Sequence, residues 1–328
     1  MREATSQRSK IATERKGCRL KHPVFPSRKN PDSHHRSIPR RVGIRDSGPL
    51  DLQLDRDMTF FTKLISALTI MLTVCLLLAC SDNNDVALEE AQSKILSAYH
   101  GLDALPAGAG VLCPIAVEGE DGMPVVFSVQ IDRNSVMTDA FQVETASGEM
   151  VTPICATLAP AIEILEQRTV LLIGSFGTRN APPLAVEVVG ALEDIDGQSL
   201  QGERFTSITP LEAGPSLVLA ERFEVDAPGL VGECPAATQQ VLQITWEGGV
   251  SGPMGSRLGE PQRLGISVRL QDGQTVTPIA LADDDPDNHV LVCLDIATAA
   301  VSAAAAAGLF HDPGDDSNPD TRIDVDPG

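Results

Sequence analysis

Residues 141–154 read Phe141-Gln142-Val143-Glu144-Thr145-Ala146-Ser147-Gly148-Glu149-Met150-Val151-Thr152-Pro153-Ile154, and residues 266–279 read Ile266-Ser267-Val268-Arg269-Leu270-Gln271-Asp272-Gly273-Gln274-Thr275-Val276-Thr277-Pro278-Ile279. At a fixed offset of 125 positions the Val, the Gly and the whole Val-Thr-Pro-Ile run coincide. Each copy opens with alternating side chains, the period-two pattern that puts one set on each face of a half-buried strand. A Gly sits at the tip, and a Pro closes the second strand because it cannot donate to a ladder. Each copy therefore predicts strand, tight turn, strand. A repeat at this spacing predicts two related β domains of roughly a hundred residues each.

The same period extends outward. Val125, Phe127, Val129 and Ile131 alternate with Val126, Ser128 and Gln130; Leu242, Ile244 and Trp246 alternate with Val241, Gln243 and Thr245; Leu184, Val186 and Val188 do likewise. Thr169 to Ile173 is continuously apolar, which predicts a central strand covered on both faces. Asp121-Gly122, Ser147-Gly148, Asp196-Gly197 and Asp272-Gly273 mark turns. One helix is expected, over residues 85–99, with Asp85 as its cap and Leu88, Ala91, Ile95 and Tyr99 as its apolar stripe. Ala303 to Ala307 fits helix or strand equally. The fold class expected is mainly β. At the level of pattern the chain resembles two tandem immunoglobulin-like β-sandwich domains, without the buried Trp and Cys–Cys arrangement of the antibody type. The expected boundaries are a tether with a short helix over 80–110, a first sandwich over 111–228 and a second over 229–328 with acidic C-terminal loops.

The 328 residues carry 25 Lys and Arg against 45 Asp and Glu, and only 3% are aromatic. The charge is unevenly placed. Residues 1–57 hold 14 basic and 7 acidic side chains, whereas residues 81–328 hold 10 and 38, a net of -28. That acidic body argues against nucleic-acid and lipid-headgroup binding and permits basic partners or cations. Between the two lies Lys63 and then the uncharged run Leu64 to Ala79, sixteen residues, short of the about 20 that a spanning helix needs. It suits the apolar region of a secretory signal. The run ends Leu77-Leu78-Ala79-Cys80, followed by the polar Ser81-Asp82-Asn83-Asn84-Asp85. This resembles the lipobox of bacterial lipoprotein signal peptides, so residues 58–79 read as the signal and Cys80 as the acylated residue. The resemblance implies a membrane attachment through the N-terminal lipid and a place in the cell envelope. Ser81, in the sorting logic of enteric bacteria, implies the outer membrane. Met58 stands immediately before the signal, so residues 1–57, rich in Arg, Ser, His and Pro and without apolar periodicity, are expected to be a disordered or over-called extension.

Past Cys80 four cysteines remain, Cys113, Cys155, Cys234 and Cys293. An even number in an exported chain suggests two disulfides. Three pairings are open; Cys113–Cys155 with Cys234–Cys293 is preferred because each pair then falls inside one domain. The acidic loops are the most chemical-looking feature. Asp283, Asp285 and Asp287 alternate, and Asp312 and Asp316 follow in a second Asp-rich turn. Such loops supply the hard oxygens calcium takes, or else are turns whose Asp side chains accept local backbone hydrogen bonds. Asn288 and Leu294 break the EF-hand pattern that Asp283 begins. The expected cofactor is therefore none, with calcium the sole candidate. No H-E-x-x-H or phosphate-binding glycine motif occurs, and Ile173 stands where a nucleophile elbow needs Gly. The pairs Glu163/Glu166 and Glu221/Glu224 read as solvated edges, Arg168 as too isolated to form an anion site, and His289 as a surface residue in an acidic turn. The function expected is a non-enzymatic binding or structural lipoprotein with an envelope protein as partner and no nucleic acid. The alternative is a metal- or carboxylate-dependent envelope hydrolase, resting on Asp density alone.

Overall fold

The repeated stretch forms the same hairpin twice. In the first copy Thr145 N donates to Glu149 O and Gly148 N to Thr145 O; in the second, Leu270 N donates to Gln274 O and Gly273 N to Leu270 O. These are identical bonds at the offset of 125. Gly148 and Gly273 sit at φ of 80° and 88°, the left-handed region that a residue with a Cβ enters at a cost.

The computed structural model describes residues 94–282 and 287–327, all within one compact unit. Strands β1 (Ile95–Ala98), β2 (Asp121–Phe127), β3 (Phe141–Glu144), β4 (Met150–Val151), β5 (Cys155–Thr157), β6 (Thr169–Gly174), β7 (Ala185–Val188) and β8 (Arg204–Phe205) make the first domain. They form two antiparallel sheets with strand orders β1-β2-β6-β5 and β4-β3-β7-β8. The second domain has β9 (Leu217–Phe223), β10 (Gln240–Trp246), β11 (Ile266–Leu270), β12 (Thr275–Val276), β13 (Ala280–Leu281), β14 (His289–Leu294), β15 (Ala300–Ala305) and β16 (Thr321–Asp324). Its orders are β9-β10-β14-β13 and β12-β11-β15-β16, the same topology eight strands on. First, second, sixth and fifth strands in one sheet, with third, seventh and eighth in the other, is the immunoglobulin arrangement with one added edge strand. A single-turn helix, α1 (Glu260–Gly265), precedes β11. No helix among the described residues is long and apolar enough to cross a membrane.

Each domain closes its own core. Met123, Val125 and Phe127 from β2 meet Phe141 and Val143 from β3, Val170 and Leu172 from β6, and Val186 and Val188 from β7. In the second domain Leu242, Ile244 and Trp246 meet Ile266, Val268, Val290, Val292, Ala303 and Ala305. Trp246 stacks at 4.5 Å on Phe310. The continuous run in β6 behaves as its composition demands. Val170 and Leu172 enter the main core, while Leu171 and Ile173 join a smaller outer cluster with Leu105, Cys113 and Val117. Ala300–Ala305 is a strand, and its small side chains sit fully buried at Ala303 and Ala305.

Both disulfides form within domains: Cys113–Cys155, 42 residues apart, and Cys234–Cys293, 59 apart. Each ties the loop between a domain's first two strands to its first sheet. Cys155 pairs across the ladder with Ile173, and Ala280 with Cys293. The bridge therefore occupies one place in the repeat but has moved to the neighbouring strand, which accounts for the unequal spacings.

Three sequence expectations are corrected. Lys94 to Tyr99 do not continue a helix; Ile95–Ala98 is β1, in register with Val125 to Phe127. A short i,i+4 stripe lost to the open edge of β2, which satisfies its backbone. The first sandwich thus begins before residue 111. The second begins before 229, because β9 pairs along its whole length with β10; the Ala227-Pro228-Gly229 turn lies inside that domain, and the connection between domains is residues 206–216. Asp121-Gly122 lies within β2, and the turn falls at Gly119, with φ of 82°. The expected helical residues 85–93 lie outside the described residues.

Opening a loop of this length relaxes the unfolded chain, so the double variant Cys234→Ala with Cys293→Ala is expected to lose about 2–4 kcal/mol in urea unfolding. An unchanged midpoint would show that the loop to β14 is held by packing alone.

Candidate functional site

The chemistry of the described residues concentrates where the domains meet. The connecting segment is pinned first. Thr209 exchanges backbone bonds with the end of β1, donating to Ala98 O and accepting from His100 N. Glu247, after β10, then accepts from Thr209 Oγ1 at 2.6 Å and from Ser216 N at 2.9 Å. Burial raises its carboxyl above the ordinary range, and those two bonds only partly offset the rise. Tyr99 lies against Gly248, where an added Cβ would come within 2.6 Å of the ring. Its hydroxyl sits 2.5 Å from Asp312 Oδ2 and 2.7 Å from the carbonyl of Ala213, one proton between two acceptors. Burial and the adjacent Asp312 carboxylate raise the phenol, and burial raises Asp312.

The second contact is broader. Outward from β9, β10 and β14 point Glu221, Gln243, Thr245 and His289, with Glu221 opposite Gln243 and Thr245 opposite His289. Alternation alone would leave these in water. Instead the segment before β6 covers them, and Gln243, Thr245 and His289 are all buried. Arg168 Nη2 donates to Glu221 Oε1 at 2.5 Å and Nη1 donates to Ser128 O at 2.6 Å. Burial raises Glu221 even with the guanidinium opposing it. Asn288 Nδ2 donates at 2.9 Å to Thr169 Oγ1 across the junction and to Trp246 O within its own domain. His289 Nδ1 lies 3.2 Å from Thr245 Oγ1, and burial, with Arg168 nearby, pushes the imidazole down to about 3, so it is neutral.

Beside it stand three carboxylates. Glu163 and Glu166 come from the loop before β6, whose turn is closed by Glu166 N donating to Glu163 O. Asp287 comes from the corresponding loop before β14, its Oδ1 accepting from His289 N at 2.6 Å. One oxygen of each lies within 4.8 Å of the others. Glu166 and Asp287 are buried at 3% and 1% exposure, and Glu163 is half-buried. Gln243 Nε2 donates to Glu166 Oε1 at 3.2 Å. An apolar cavity of about 170 Å³, walled by Leu102, Leu105, Leu112 and Leu171, opens next to Asp287 and Asn288.

The sequence candidates divide. Cys80, Asp283 and Asp285 lie outside the described residues. Asp287 joins Glu163 and Glu166. Asp312 and Asp316 form a separate turn in which Asp312 Oδ1 accepts from Asp316 N and Oδ2 faces Tyr99. The Ser175 turn, which resembles a nucleophile elbow, is tied down: Ser175 donates to Glu120, and the amides of Phe176 and Gly177 donate to Asp121. Glu166 and Glu221 are not solvated edges, Arg168 is not isolated, and His289 is not on the surface. The signal that pointed to them was weak, since a polar set on alternate strand positions reads as solvent-facing until a second domain is known to cover it.

No family model matches the chain, and no curated protein matches it. Among solved structures, domains 1–6 of the surface layer protein SbsC are similar, with TM-score 0.25 and 12% identity over 69% of this chain and 33% of that one. The chain thus spans about a third of the length of that structure. A likeness of that size carries no functional weight.

Two measurements probe the junction. Arg168→Ala strands a buried carboxylate and is expected to lose about 3–5 kcal/mol, much of it restored by Arg168→Met with Glu221→Leu; a loss under about 0.5 kcal/mol would mean the pair is solvated in solution. For pH, a carboxyl raised in the folded state stabilises below its unfolded value of 4.5 and loses that contribution as pH climbs through the folded one. The contribution of Glu247 is therefore expected to fall as pH rises above 4.5, against the gain that neutral His289 gives as pH rises to its unfolded value of 6.5, and Glu247→Gln is expected to make stability rise more with pH than in the wild type; equal slopes would place Glu247 in water.

Proposed function

We propose that the chain is a non-enzymatic lipoprotein of the bacterial outer membrane, tethered through lipid on Cys80, whose two β-sandwich domains act as one fixed structural or binding module for another envelope component. The observation that carries this reading is the junction. Arg168 with Glu221, Asn288 with Thr169, Glu247 with Thr209 and Tyr99 with Asp312 join the domains by buried polar contacts. These groups hold one domain on the other instead of converging on an open cleft. The cavity beside them, about 170 Å³, is well below the roughly 300–1,000 Å³ typical of small-molecule sites. Two disulfides favour an oxidising compartment, and the signal and Ser81 favour the outer membrane. The acidic body favours a basic protein face as partner.

Membrane fractionation tests the reading. The wild-type chain is expected in the outer-membrane fraction, with an intact mass showing acylation at Cys80, and Cys80→Ser is expected in the soluble fraction. A Cys80→Ser chain that stayed with the membrane would overturn the tether.

A further inference from the structure

The outward faces of the second sheets carry the same backbone and opposite charge. In the first domain Gln142 on β3 lies opposite Glu187 on β7, and Glu187 opposite Arg204 on β8. Arg204 donates through Nη1 to Glu187 Oε2 at 2.9 Å and diagonally through Nη2 to Glu144 Oε2. The second domain repeats this register pair for pair, with Ser267 on β11 opposite Ala304 on β15, and Ala304 opposite Arg322 on β16. Arg322 thus holds the place of Arg204, Ala304 that of Glu187, and Arg269 that of Glu144. The guanidinium is kept and both its carboxylates are gone. A methyl replaces one of them, and a second guanidinium replaces the other.

Arg322 still takes the diagonal course. Its Nη1 donates at 3.4 Å to Ser302 Oγ, and Ser302 lies directly opposite Arg269. Asp324 flanks Ser302 on the other side, yet among the described residues neither Arg269 nor Arg322 makes an ion pair. Both are exposed, and both line one hollow of about 290 Å³ with Ser302, Asp324 and the Gln271 and Gly273 positions of the hairpin. Guanidinium forks take carboxylate oxygens in pairs. We propose that this hollow binds an Asp or Glu side chain of a partner protein, its carboxylate seated between Arg269 and Arg322 as that of Glu144 is seated on Arg204. The net of -28 over residues 81–328 selects among anions. A second copy or a phosphate-rich polymer brings dense negative charge and is repelled before contact. A lone carboxylate among neutral or basic side chains meets only the local pair. The site rests neither on the lipid tether nor on the basic partner face proposed above, though one partner could present both.

The test follows isotope-labelled arginine side chains by NMR in the full-length chain, at about 10 mM salt, where exposed charges are least screened. The probe is the peptide acetyl-Val-Thr-Glu-Thr-Val-amide. It is expected to shift the Arg269 and Arg322 resonances with a Kd of about 1 mM, and the same peptide with Gln for Glu to shift neither. Arg269→Ala is expected to weaken binding at least about fivefold. Arg269→Glu supplies the missing carboxylate from within, as Glu144 does for Arg204, and is expected to keep the melting temperature and abolish binding. Should that variant fail to fold, Arg322→Gln, at an exposed position, is expected to show the same loss. No shift in the wild type, equal shifts with the two peptides, or full binding in the folded variants overturns the site. Tighter binding of inorganic phosphate than of the glutamate peptide overturns the side-chain carboxylate, and a dimer lost in Arg269→Glu overturns the partner protein in favour of a second copy.

Discussion

The arrangement of this molecule depends on what covers the outer face of the β9-β10-β14 sheet. A sandwich needs only one face of each sheet buried, and the other is expected to meet water. Here the loop before β6 takes that place, and with it Glu221, Gln243, Thr245 and His289 become interior groups. Burying a charged or amide group is unfavourable unless its partner comes with it. Arg168 for Glu221 and Thr169 for Asn288 are those partners, and both come from a few residues of one loop. Apolar contact alone would accept many dockings. The polar pairs are satisfied in one, so the angle between the domains is set by these pairs, and the connection over residues 206–216 only follows.

The two halves show how one topology accommodates different local solutions. Their hairpins share hydrogen bonds residue for residue. Their cores share Val143 with Val268 but differ elsewhere: the second domain places Trp246 on Phe310 inside the sandwich. The disulfide moves from β5 to β14, adjacent strands of the equivalent sheets. Facing residues in an antiparallel pair lie about 4.5–5.5 Å apart, so a neighbouring loop can reach either with little adjustment. The loop-to-sheet tether is the constraint that persists, and the strand supplying its sulfur is free to change.

Much of the sandwich was legible because its signals are local. The Val-Thr-Pro-Ile repeat, the apolar run in β6 and the glycines of the two hairpins each state their structure within a dozen residues. The errors came from pairing. Ile95 and Tyr99 sit four apart and suit a helix, yet the edge of β2 recruits the segment as a strand. Residues 217–223 looked like the end of one domain and are the first strand of the next, because only β10 shows where they belong. The junction was least legible of all. Glu166, Arg168 and Glu221 have the composition of solvated positions, and their burial depends on a surface about 50 or more residues away that no periodicity records.

That burial gives the junction its chemical sensitivity. Residues 81–328 are strongly acidic, and exposed carboxylates are screened by water. Those at the junction are not. Glu247 and Asp312 are raised chiefly because their charge has left water, and Glu221 stays raised although a guanidinium touches it. A site that gathers negative charge away from solvent stores unfavourable energy that a proton or a cation relieves. The cores do not respond to either, since Val, Ile, Leu and Phe carry no charge. The raised carboxyls thus lie at the junction and not within the hydrophobic cores.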